Sequence, residues 1–345
     1  MGFPIEFRTN RILSYYPAMT QSNHIRNIAI VGATGQLGKH LSAALLKNPT
    51  FNITALTRNT DNPSFPPGIT AIAVDYSQTS TLSSALKDQD VLIITLSVTA
   101  PPDTQSKLIH AAAEACVPWI LPNEYGYGSD TGASDEVGMG QPKKAARELI
   151  EELGISSWVG IASGFWYEYS LSGPGLYGID IAKREVTFFD EGSQRVNTST
   201  WAQVGRAVAG LLALPVESQG GETALIEYRN RFVFVSSFAI NQREMLDSLN
   251  RVLKLKDEDW DVTRVSAKDR FEDARKRLAG GNRMAYAYML YTRYFLPGED
   301  AALYEKTKGL DNERLSLPVE DLDEATKTAV GMAEDGYFAK LAYSR

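Results

Sequence analysis

The sequence predicts an α/β fold: a doubly wound parallel sheet, with a smaller lobe from the C-terminal half covering it. Three observations carry that prediction. From Asn27 to about Ser163, short apolar runs alternate with amphipathic stretches of helical period. The runs show no alternation of polar and apolar residues, so both faces of the sheet must be covered. The first run also ends in a set of regularly spaced glycines that open a helix.

The elements follow in order. NIAIVGATG is a buried strand running into the glycines. LGKHLSAALLKN is the first helix, with Leu37, Leu41, Ala44 and Leu45 at helical spacing and Asn48-Pro49 as its stop. FNITALT and ITAIAVD are the next strands, separated by a Pro/Asn/Asp-rich loop. SSALKDQ is helical, VLIITLSV a strand, QSKLIHAAAEA a helix, VPWILP a strand, KKAARELIEELG a helix ending at Gly154, and ISSWVGIAS a sixth strand. About six such units in roughly 140 residues suit a nucleotide-binding domain. The chain divides into an extension over 1–24, that domain over 25–164, and a lobe over 165–345 interleaved with further sheet elements. In the lobe, EVTFFDEG and RFVFVSSF read as strands, TWAQVGRAVAGLLAL and NQREMLDSLNRVLK as helices, and the tail from Trp260 as mostly helical and charged.

Composition narrows the function. The 345 residues are 43% hydrophobic and 22% charged, as in an ordinary globular protein. A net charge of -7 argues against a phosphate-backbone partner, so no nucleic acid is expected. No apolar stretch reaches the roughly 18 residues that cross a bilayer, so no membrane partner is expected. Residues 1–24 carry Arg8, Arg11, Tyr15 and Tyr16 without an apolar signal core, and Glu6 speaks against a transit peptide, so the expected location is cytoplasmic. Cys116, the single cysteine, lies in the apolar run HAAAEACVPWIL and reads as a buried thiol. His24, His40 and His110 have no metal-ligand spacing, and no metal is expected.

Gly32-Ala33-Thr34-Gly35-Gln36-Leu37-Gly38 follows a strand and opens a helix, the context of a Rossmann-type dinucleotide loop. Gly32 permits the tight turn, Gly35 lets the backbone approach a pyrophosphate, and Gly38 lets the helix pack against the sheet. The amides of Thr34, Gln36 and Leu37 then face the phosphates at a positive helix end. An NAD site places a carboxylate about 20 residues further on. This chain has Thr57-Arg58-Asn59 there, and a guanidinium suits the 2′-phosphate of NADP(H). Lys39 either adds charge nearby or is a surface helix residue. Asp75 either meets the adenine end or caps the next helix. Ser97, Val98 and Thr99 end the fourth strand and Pro122-Asn123-Glu124-Tyr125-Gly126 the fifth, so both segments border the ligand crevice.

The Tyr-x-x-x-Lys pair of common short-chain dehydrogenases is absent after the fourth strand; Tyr304 and Lys308 match the spacing far into the tail and are set aside. Lys143 and Lys144, at the start of the helix after Gly126, remain as acid/base candidates, against the alternative of solvated helix-start lysines.

The chain resembles the NmrA-like, isoflavone reductase-like group of atypical short-chain dehydrogenases, and within it a fungal CipA-like branch. The resemblance rests on VGATGQLGKHL, ALTR, VTAPPDTQSKLIHAA, LPNEYG, SSWVGIASGFWYEYSL, VTFFDEG with NTSTWAQVGRAVA, and MLYTRYF, and runs from about Asn27 to the C-terminus. Plant aryl reductases of the group carry P-S-E-F-G and then a catalytic lysine in the next helix. Counting back from Gly154-Ile155 implies Lys143 for that role, beside the cofactor, with Lys144 as the alternative.

Two segments depart from the group: YGSDTGASDEVGMGQP before the helix and GFWYEYSL after the sixth strand. The substrate therefore does not carry over. Glu124, Tyr125, Phe165, Trp166, Tyr167 and Tyr169 are the expected substrate contacts, the aromatic ones stacking on a flat ligand or packing in the core. The expected protein is an NADPH-dependent oxidoreductase reducing a small aromatic or conjugated secondary metabolite, by hydride transfer with lysine-assisted protonation. The alternatives are an NmrA-like NADP(H)-binding redox sensor without turnover and a cofactor-retaining isomerase or lyase. A small molecule is the expected partner, with a homodimer left open.

Overall fold

The computed structural model describes residues 22–60, 65–128 and 130–343, so the expected N-terminal extension lies outside the described residues up to position 21. In chain order the first half runs β1 (Asn27–Val31), α1 (Gly38–Leu45), β2 (Asn52–Thr57), β3 (Ile69–Ala73), α2 (Thr79–Leu86), β4 (Val91–Ile94), α3 (Thr104–Glu114), β5 (Trp119–Leu121), α4 (Gly132–Glu136), α5 (Gly140–Leu153) and β6 (Ser157–Ala162). The second half continues with β7 (Phe165–Trp166), α6 (Tyr167–Ser172), β8 (Ile179–Asp180), β9 (Glu185–Phe189), β10 (Val196–Ser199), α7 (Trp201–Ala213), β11 (Arg231–Phe234), β12 (Phe238–Ile240), α8 (Gln242–Leu253), β13 (Asp261–Val265), α9 (Ala267–Ala279), α10 (Ala285–Tyr294), α11 (Tyr304–Thr307), α12 (Leu322–Glu334) and α13 (Tyr337–Tyr343).

Seven strands form one parallel sheet in the order β11-β6-β5-β4-β1-β2-β3, the last-added strand coming from the C-terminal half. The apolar runs have the expected physical cause. Ile28 and Ile30 of β1 point into one core with Leu41 and Leu45 of α1 and Val204, Val208 and Leu211 of α7. Their neighbours Ala29 and Val31 point the other way, into a core with Leu82, Leu86, Leu108, Ile109 and Ile150. The strand order reverses between β1 and β4, and a crevice opens at the C-terminal ends of such strands.

The lobe holds two three-stranded sheets, β12-β10-β7 and β13-β9-β8. Its core is aromatic: Tyr127, Tyr167, Tyr177, Phe188, Phe189, Tyr291, Tyr294, Phe295 and Tyr304 are all buried in one cluster. Among the described residues, no helix is long and apolar enough to cross a membrane.

One expectation is refined here and one corrected. The tail is mostly helical, but Asp261–Val265 within it is a strand paired in parallel with β9. All five of its residues are exposed, so it lacks the apolar signal that marks a buried strand. Cys116 is exposed, not buried. It sits just past α3 with φ 57, its N–H bonding Ala113 O (3.1 Å) while the N–H of Val117 bonds Ala112 O (2.9 Å). That is a Schellman stop, which turns Cys116 outward and gives the buried place to Val117.

Candidate active site

The glycine loop is a tight turn closed by Gly35 N–H on Gly32 O at 2.9 Å. Gly32 has φ +81, and a Cβ there would lie 2.1 Å from the Thr95 carbonyl oxygen of the next strand's end. A Cβ on Gly38 would lie 1.9 Å from Gly32 O, so the helix start closes on the loop itself. Gly35 differs. Its Cβ would meet Gly32 O alone, at 3.1 Å, so its side faces open space. Leu37 is buried in the core, leaving its backbone for a ligand, and Thr34 is half-buried in the turn. Gln36 Nε2 donates to the Tyr337 hydroxyl at 2.8 Å. Lys39 is exposed, its Nζ 5.9 Å from the Trp201 ring centre.

Arg58 stands exposed just past β2, close enough to Tyr76 to oppose the upward push that burial gives that phenol. The Asp75 carboxylate accepts from Ser77 N–H (2.8 Å), Ser77 Oγ (2.7 Å) and Gln78 Nε2 (2.9 Å). These bonds hold its pKa below the usual range and tie the turn before α2. At the end of β4, the Ser97 and Thr99 hydroxyls bond each other at 2.8 Å, and Val98 is 87% exposed. Asn123 braces β4 and β5, its Nδ2 donating to Leu96 O and its N–H to Gln105 Oε1.

The two candidate lysines separate clearly. Lys144 is exposed and 3.5 Å from Glu148, one turn along α5. Lys143 is half-buried, and desolvation lowers its pKa. The Glu124 charge opposes that lowering and the Arg147 charge adds to it. Arg147 is itself buried, 2.6 Å from Glu124 and also paired with Asp130, its guanidinium 5.1 Å from the ring centres of both Trp158 and Phe232. Glu124, expected to touch substrate, is therefore 3% exposed and committed to Arg147. A carboxylate buried that deeply needs such a partner.

The aromatic segment after β6 splits by direction. Phe165 stacks on Tyr291 (4.1 Å between ring centres) and abuts Tyr127 (4.8 Å) in the lobe. Tyr167 is 0% exposed, its hydroxyl 2.7 Å from Thr326 Oγ1. It is a core residue with no surface for the substrate contact expected of it. Trp166 and Tyr169 remain half-buried, Trp166 donating Nε1–H to Tyr125 O at 2.9 Å. Both lie near Trp201, with ring centres 6.0 and 5.9 Å away.

Trp201 was absent from the sequence-based site, as were His40, Glu168 and Tyr337. His40 stacks on Trp201 at 5.2 Å, and Glu168 Oε1 accepts the Trp201 N–H at 2.9 Å. Burial pushes the Glu168 carboxyl up to about 7 and the His40 imidazole down to about 4. Among the described residues, four buried atoms here have no hydrogen-bond partner: His40 Nε2, Glu168 Oε2, Trp201 Nε1 and the Tyr125 hydroxyl. The signal available beforehand was thin: one acid inside FWYEYSL and one Trp at a helix start. Two surface clefts of about 380 and 370 Å³ flank Arg195 in the lobe and include none of these residues. No group of three or more His, Cys, Asp or Glu among the described residues is arranged to hold a metal.

Comparison with known proteins agrees with this architecture. Residues 25–174 match the NmrA-like family. The chain is 30% identical over 307 residues to oxidoreductase aprR of Aspergillus flavus, covering 86% of this chain and 96% of that protein. An isoflavone reductase crystal structure aligns with TM-score 0.68 at 20% identity, over 88% of this chain and 98% of that one. A structure described as AtPrR2 with NADP+ and (+)pinoresinol aligns with TM-score 0.66, also at 20% identity and over the same shares of the two chains. With the glycine loop, the sheet order and a relative matched over nearly its full length, the chain belongs to the NmrA-like family.

Proposed function

We propose that this protein is an NADPH-dependent reductase acting on a small, flat, conjugated molecule, with Lys143 as its proton-handling residue. The observation that carries the reading is the contrast between Lys143, half-buried with a lowered pKa, and exposed, paired Lys144. A solvated helix-start lysine needs no such desolvation, whereas an acid/base group gains from a pKa nearer neutrality. The name of the Aspergillus relative, an oxidoreductase, supports the same class.

The residues present fit the cofactor. Gly35 leaves its side of the turn open, as close approach of a pyrophosphate requires. Free amides at the start of α1 suit its charge. Arg58 suits a 2′-phosphate, and no acid follows β2 at that point to oppose it. Ser97, Val98, Thr99 and Asn123 border the far end of the crevice, where Val98 offers apolar surface to a ring. Asp75 reaches the adenine side through its turn, since its carboxylate is already engaged. When bound, NADPH supplies the hydride.

The chain's own residues do the rest. Trp166 and Tyr169 present ring faces and edges to a planar ligand. Trp201 and Tyr125, both buried, back these two rings from the core. Lys143 Nζ gives up a proton to the ligand atom that gains negative charge, then recovers one from solvent. Arg147, pinned by Glu124 and Asp130, holds the helix face that carries Lys143 and keeps positive charge behind it.

Titrating NADPH and NADH against the protein, then following NADPH oxidation with a panel of quinones, enones and aromatic ketones, tests the reading. Tighter NADPH binding with turnover of one such compound supports it. NADPH binding with no turnover across the panel would favour the redox-sensor reading instead.

A further inference from the structure

The C-terminal helix reaches back to the glycine loop. Gly336, with φ +63, turns the chain out of α12, and α13 begins at Tyr337. The Tyr337 hydroxyl accepts the Gln36 Nε2 bond at 2.8 Å across 301 residues of sequence. Its ring lies 6.3 Å from Trp201 and 6.4 Å from Tyr169, centre to centre. Phe338 follows, 4.7 Å from Tyr169. It uses the space left by Gly173, where a Cβ would come within 2.8 Å of its ring. α13 thus touches the nucleotide loop on one side and α6 of the lobe on the other, spanning the crevice between them.

One bond from Nε2 leaves Gln36 with a second N–H and its carbonyl oxygen, neither of which has a partner among the described residues. The same side chain is therefore able to meet a bound dinucleotide and hold Tyr337 together. We propose that Tyr337 is a positioning residue for the glycine loop, and that α13 is a strap whose docking and dinucleotide binding favour each other through Gln36. This rests on the reading of Gly32–Gly38 as the cofactor loop. The coupling is reciprocal: whatever tightens the strap tightens the dinucleotide, and the reverse.

The test uses the full-length chain and two readouts. NADPH affinity, from nicotinamide fluorescence, is measured for the wild type, Gln36→Ala, Tyr337→Phe and the double variant. Trypsin cleavage after Lys340 is followed by intact mass, with and without saturating NADPH. Tyr337→Phe keeps the ring and its packing but loses the bond to Gln36, so its cleavage without NADPH should be faster than that of the wild type. We expect each single variant to weaken NADPH by about three- to tenfold, the range of one neutral hydrogen bond. The double variant should be no weaker than the worse single one, because both remove the same link. NADPH should slow cleavage at Lys340 in the wild type and fail to do so in either single variant. Additive losses, or a saturated wild type cut at Lys340 as fast as the free chain, would overturn the strap and leave the reductase reading standing. A wild type that does not bind NADPH at all removes both.

Discussion

Replacing Glu168 by Gln should change how stability depends on pH, and the size of the change follows from the burial of its carboxyl. The fold raises that pKa from 4.5 to about 7, with burial as the main cause and the nearby Glu320 charge adding to it. The backbone bond from Trp201 and the charge of Arg206 pull the other way and lose. A carboxyl with a raised folded pKa favours folding while protonated. Its contribution is fully present below about pH 4.5 and is lost as pH rises through 7. A shift of about 2.5 units corresponds to about 3 kcal/mol in total. Most of that, on the order of 2.5 kcal/mol, falls between pH 5 and 8.

Glutamine keeps the shape and can still accept the Trp201 N–H, but carries no charge to lose. His40 titrates in the opposite sense: its pKa is lowered, so its contribution is present above 6.5 and lost as pH falls toward 4. It is common to both proteins and cancels in the difference between them. Urea unfolding at pH 5, 6.5 and 8 provides the assay, read as the wild-type-minus-variant difference at each pH. The wild type should lose stability relative to Glu168→Gln by roughly 2–3 kcal/mol across that range. Parallel curves would refute the reasoning, and would mean that water reaches Glu168 Oε2 freely.

Lys143→Met should lower turnover on any substrate found by about 10²–10⁴-fold while NADPH affinity changes little; Lys144→Met should stay near wild type, since that side chain is exposed and paired with Glu148. Stopped-flow and steady-state kinetics separate the two, and near-equal effects would unseat the assignment. Arg58→Ala should weaken NADPH by one to two decades and leave NADH unchanged, the worth of a charge-assisted phosphate contact; equal losses for both cofactors in a fluorescence titration would remove Arg58 from the site. Gly35→Val should abolish dinucleotide binding with circular dichroism unchanged, because the added side chain points into open space on the ligand side. Gly38→Ala should instead destabilise the protein, since its Cβ would meet backbone at 1.9 Å, and a Tm equal to wild type would contradict that.

Local signals carried the sheet and the loop. Apolar runs such as Val91–Ile94 are buried on both faces, and glycines at 32 and 38 answer to backbone contacts within a few residues or one strand away. The preference for Lys143 over Lys144 came from the resemblance, since the residues alone left both open; in the structure the first is half-buried and the second exposed. What failed depended on partners distant in sequence. Glu124 looked available because nothing near it announces Arg147, which arrives on the next helix. Tyr167 and Tyr169 look alike in FWYEYSL, but α6 starts between β7 and the loop that follows, and its phase sends one ring into the lobe and the other to the crevice. Trp201 and Tyr337 lie 163 and 299 residues past Gly38, so no pattern around the glycine loop points to them. Cys116 was misplaced for a smaller reason: an αL stop built without glycine leaves no mark in the sequence.

In the proposed mechanism, the positions of these residues also separate recognition from proton handling. α1 and α7 pack on one face of the sheet and bring His40 and Trp201 to its C-terminal edge, with Tyr125 and Trp166 joining the same cluster. α5 packs on the other face through Ala146 and Ile150, and brings Lys143 to that edge from the opposite side. The start of α5 is set independently, by Gly140 against Asp135 and by Arg147 on Glu124 and Asp130. A crevice assembled this way can change its aromatic wall, or the strap over it, without moving the lysine. Substitutions in Trp166, Tyr169 or Trp201 should therefore act on ligand affinity, and those in Arg147 on the lysine, which makes the two sets separable by a KM-against-kcat comparison.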